Sequence, residues 1–229
     1  MPLGDIDPAN PDLFRDAAWE PWFARLRREA PVHHCARSAF GPYWSVTRFR
    51  DILEVEREHE VFSSKPTVLI GNPPKDFRLH PGFIAMEPPE HTACRRAVMP
   101  AGAAPSIEAL EPMGRGWAAE ILDGLPVGPG FDWVERVAVE LTARMLATLS
   151  GFPLEERSRL TRWSDVATSS PRGTGSVPVT EASWRAEMLE CLESFTRLRE
   201  QRAGKTAPRI PDFPGLLAND PATRGMSSF

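Results

Sequence analysis

Twenty-four prolines punctuate this chain, clustering at segment ends and in loops. Proline lacks an N–H and fixes φ, so these clusters limit where regular elements can run. Between them the apolar residues recur mostly at helical spacing. Trp22, Phe23 and Leu26 make one stripe, which Pro31 ends, and Phe49, Ile52 and Leu53 form the buried face of a second helix. Residues 105–123 read as a helix weakened in its middle by Pro112 and two glycines. Val134, Val137, Leu141, Met145, Leu146 and Leu149 give a core-type stripe, and Leu160, Trp163, Val166 and Ala167 another. Trp184, Met188, Cys191, Leu192, Phe195 and Leu198 mark a long amphipathic helix. Only 32–34 and 43–46 read as strands, with Gly41-Pro42 in the turn region between them. Residues 1–19 are expected as an irregular arm, and 65–85 and 169–180 as loops. The fold class is therefore mainly α with a small β-sheet.

Bulk properties narrow the function classes. A net charge of −4 leaves no basic footprint for nucleic acid. No apolar run is long enough to span a bilayer, and Met1 opens no signal-peptide pattern. Three cysteines without paired spacing fit free thiols in a reducing compartment, which implies a cytoplasmic protein.

The stretch with most chemical content is 86–98, MEPPEHTACRRAV. Pro88 and Pro89 suit the first turn of a helix, where a missing N–H costs nothing, and Glu90 suits its positive end. His91 and Arg95 then fall at i and i+4 and share a face. An imidazole and a guanidinium side by side form a receptor for carboxylate or phosphate. Arg96 points about 100° away around the helix, toward a surface ion pair or partner contact. Cys94 reads as a packing thiol. His33-His34-Cys35 alternates faces on a strand and cannot converge on one metal ion, so no metal ligands are assigned. Ala203-Gly204-Lys205-Thr206 lacks the first glycine of a phosphate loop and reads as a helix end.

Pro-Pro-Glu-His-Thr followed by Arg-Arg resembles the helix of bacterial cytochrome P450 enzymes whose His and Arg hold a haem propionate. The resemblance runs from about Glu20 to about Arg224. EPWFARLRREAPV resembles the family's first helix and strand entry. YWSVTRFRDILEV resembles a strand, a Thr47 helix cap and a short helix. The stretches at 131–149 and 151–168 most resemble the branch that hydroxylates terminal carbons of alkanes or steroid side chains. Two departures stand out: Ala101-Gly102 replaces a common aromatic, and Glu87 replaces a usual Asp, a better N-cap.

The resemblance implies haem b as cofactor, with His91 and Arg95 binding a propionate. It implies an apolar substrate, with ferredoxin and ferredoxin reductase as electron donors. Phe83, Ile84 and Met86 either pack as core or line the substrate pocket. Trp163, Val166 and Ala167 of the 160–167 helix either pack as core or roof it. The family's Cys ligand sits in a Phe-x-x-Gly-x-x-x-Cys-x-Gly loop, and none of Cys35, Cys94 and Cys191 has that setting. The acid–alcohol pair of the oxygen-activating helix is not found either. The expectation is a partial cytochrome P450 domain over 20–229, inactive alone. The rival expectation is a non-catalytic helical remnant binding haem or a hydrophobic ligand.

Overall fold

In the computed structural model, residues 2–65, 70, 82–169 and 175–226 are described. Most of the loop expected at 65–85, and residues 170–174 of the loop expected at 169–180, therefore lie outside the described residues. The chain divides into two compact units, residues 1–91 and 92–229.

In the first unit, a 3-10 turn (Leu3–Asp5) leads to α1 (Asp12–Arg15) and α2 (Trp19–Glu29). The segment expected as an irregular arm thus contains two short helical turns among its described residues. The cause is local: Phe14, Trp19 and Phe23 form an aromatic triangle with centroids 6.0–6.3 Å apart. The Tyr43 hydroxyl also pins the segment, donating to Asp7 Oδ1 at 2.6 Å and accepting from Ala9 N at 2.9 Å. Burial and that bond to Asp7 push the phenol well above its usual range.

Strands β1 (Val32–Cys35) and β2 (Tyr43–Val46) pair antiparallel, Val32 opposite Val46 and Cys35 opposite Tyr43. His33 and Cys35 point to the buried face, where His33 Nε2 donates to the Ile6 carbonyl at 2.9 Å. His34 lies on the other face against Trp44, with ring centroids 4.7 Å apart.

Two expectations fail in α3 (Phe49–Arg57). Thr47 does not cap it: its hydroxyl donates to the Pro31 carbonyl at 3.1 Å, and Arg48 holds the cap position without a side-chain bond. The stripe is not buried either, since Phe49 is 74% exposed and no residue of the helix is buried. Periodicity states which residues share a face and is silent about what covers it.

Helix α4 (Glu90–Val98) carries the chain across the division into the second unit. There α5 (Ala104–Asp123) runs continuously through Pro112. A π-helical stretch, Val134–Val139, leads directly into α6 (Glu140–Leu149). The expected stripe is not the buried face. Val137 is buried, but Val134 is 62% exposed, and Ala143 and Ala147 take the interior positions.

Helices α7 (Arg157–Thr168) and α8 (Glu181–Arg202) pack through an aromatic cluster. Phe152 meets the Trp163 edge at 5.7 Å and Phe195 at 6.1 Å. The Arg159 guanidinium lies 4.8 Å over Trp163 and pairs with Glu190 at 2.6 Å. Thr180 and Ser183 form a reciprocal capping box that starts α8. The helix ends where sequence reading puts the Gly204 stop, with that glycine at φ +72°. Helix α9 (Phe213–Asn219) then opens on Asp212, whose Oδ1 accepts from Gly215 N at 2.7 Å. Arg202 Nε meets the other oxygen of Asp212 at 2.9 Å, and Asp212 is only 3% exposed. Gly151, at φ +59°, lets its backbone approach this pair, since a Cβ there would meet Asp212 Cγ at 2.9 Å.

Candidate functional site

The His-Arg pair is placed by α4. Pro88 and Pro89 stand in the turn before the helix rather than in its first turn. The Glu87 carbonyl accepts from His91 N at 2.9 Å, closing a turn around them. The Glu87 carboxylate is engaged elsewhere, accepting from Ser63 Oγ and lying 3.6 Å from Lys65 Nζ. The Ser63 hydrogen bond, helped by the Lys65 charge, holds that carboxyl below its usual range against the opposing effect of burial.

Helical spacing sorts the side chains of α4. Cys94, Ala97 and, just beyond the helix, Ala101 repeat at i, i+3 and i+7 and are all buried. Cys94 is indeed a packing thiol, its Sγ lying 3.5 Å from Met226 Sδ. His91 is half-buried, and Arg95, one turn on, is exposed. Among the described residues Arg95 forms no ion pair. Arg96 opens instead onto a cleft of about 340 Å³ in the second unit, lined also by Lys205, Leu216, Asn219 and Asp220. The expected ion pair of Arg96 is not formed among the described residues.

The residues expected at a substrate pocket fall into two groups. In the first unit, Phe83, Ile84 and Ala85 form a 3-10 turn. Ile84 is 68% exposed and Met86 half-buried, while the Phe83 side chain lies outside the described residues. In the second unit, Trp163 and Val166 share the buried face of α7, whereas Ala167 is exposed. Sequence reading missed Phe152, which sits beyond the end of α6 in no periodic stripe and shows itself only by contact with Trp163 and Phe195. Among the described residues no cluster of His, Cys, Asp and Glu could hold a metal ion.

No family model matches the chain. Relatives and solved structures do. The chain is 28% identical over 227 residues to linalool 8-monooxygenase of Pseudomonas putida, covering 93% of this chain and 54% of that protein. It is 31% identical over 158 residues to steroid C26-monooxygenase of Mycolicibacterium smegmatis, covering 64% of this chain and 37% of that protein. Among solved structures, CYP153D17 from Sphingomonas sp. PAMC 26605 superposes with a TM-score of 0.79 at 38% identity, over 96% of this chain and 55% of its own. The chain belongs to the cytochrome P450 family. Cytochrome P450-153 from Novosphingobium aromaticivorans agrees, with a TM-score of 0.79 at 32% identity over 97% of this chain. This cytochrome P450 sequence spans about half the length of the relatives it matches. The family implies haem iron as its cofactor. No described helix is long and apolar enough to cross a membrane.

Proposed function

We propose that residues 1–229 supply the propionate-binding helix and part of the substrate wall of a haem-thiolate monooxygenase. The observation that carries this reading is the placement of His91 and Arg95 at i and i+4 on α4, with Arg95 exposed and unpaired among the described residues. A guanidinium fork and an imidazole donor match a carboxylate in number and charge, so the residues present fit a haem propionate. When bound and ligated by a thiolate, haem iron supplies O2 activation and the insertion of one oxygen atom into a C–H bond. The work of this chain is to bind and orient the cofactor and to exclude water from the substrate.

The substrate is an apolar small molecule hydroxylated at a terminal carbon: an alkane, a fatty acid or a steroid side chain. Support comes from relatives named for oxidising linalool at carbon 8 and a steroid at carbon 26. Phe83, Ile84 and Met86 would contact it from the first unit. Family resemblance would also assign Trp163, which packs against Phe152 and Phe195, Val166 and the exposed Ala167 to the substrate. Ferredoxin and ferredoxin reductase would deliver the electrons from NAD(P)H.

The test is a titration of this chain with haemin and with its dimethyl ester, in which both propionates are blocked. Tighter binding of haemin, with the preference abolished in Arg95→Ala, is the expected result. Equal affinity for the two porphyrins would remove the basis for the propionate assignment.

A further inference from the structure

We draw no further inference here: the strongest candidate, the open cleft of the second unit between α4 and α9, sets Arg96 and Lys205 beside the Asp220 carboxylate and the negative end of α9, so its charges largely offset one another and nothing in the structure shows what covers it.

Discussion

Asp212 performs two jobs with its two oxygens, and substitution can separate them. Oδ1 caps α9 through Gly215 N at 2.7 Å, and Oδ2 takes Arg202 Nε at 2.9 Å. Arg202 in turn donates to the Gly151 carbonyl at 3.3 Å, so the pair ties α9 to the end of α8 and to the turn after α6. Losing an N-cap costs about 1 kcal/mol. Losing a charge-assisted hydrogen bond costs about 1.5–3 kcal/mol, and the lower half applies because Arg202 is 32% exposed. Asp212→Ala should therefore destabilise by about 3 kcal/mol, roughly a hundredfold in the folding equilibrium. Asp212→Asn keeps a competent cap and loses only the charge, so about 1.5 kcal/mol is expected. Arg202→Ala should cost more than the Asn variant, because it leaves the buried Asp212 carboxylate without its cation, and adding it to Asp212→Ala should cost little more. Urea unfolding followed by far-UV circular dichroism measures the four variants against the parent protein. Equal losses for Asp212→Ala and Asp212→Asn would refute the division of labour.

Two further predictions concern titratable groups. The Arg157 hydrogen bond, helped by Arg144 and opposed by burial, holds the Glu140 carboxyl below its usual range. The unfolded chain then binds more protons in that window, so the stability this pair contributes is present above a pH of about 4.3 and is lost as pH falls through the folded value. Glu140→Gln should lower the melting temperature at neutral pH yet decline less steeply between pH 5 and pH 3, and parallel curves for the two proteins would contradict this. Burial, with a smaller push from Glu190, raises the Cys191 thiol to about 11. Its alkylation at pH 8.5, read by peptide mass spectrometry, should be roughly a hundredfold slower than that of a free thiol and should recover in denaturant. Free-thiol kinetics in the native protein would count against that burial.

Local features were legible in the sequence because the chain encodes them over a few residues. The β1–β2 pair followed from two short β-rich runs with Gly41-Pro42 between them, and the end of α8 followed from Gly204. The shared face of His91 and Arg95 is likewise a matter of helical spacing alone. Contacts across the chain were not legible. Thr47 looks like a helix cap until Pro31 offers a carbonyl 16 residues away in sequence. The valines and leucines after Phe131 look like one core stripe, but Ala143 and Ala147 take the interior positions of α6. Arg96 and Lys205 meet at one cleft only because α9 folds back beside α4.

The central claim is that one face of α4, and not its neighbour, holds a haem propionate. It is tested most directly in a chimaera in which residues 1–229 replace the matching part of CYP153D17. Haem transfer to an apo-globin acceptor would be timed for Arg95→Ala and Arg96→Ala at one salt concentration. A charge-assisted bond worth about 1.5–3 kcal/mol corresponds to a tenfold or greater rise in haem loss for Arg95→Ala. Arg95→Lys should recover only part of this, because an ammonium cannot copy a two-oxygen fork. Arg96→Ala should lose haem at nearly the parent rate. Equal loss from Arg95→Ala and Arg96→Ala would mean that the wrong face of α4 has been set against the haem.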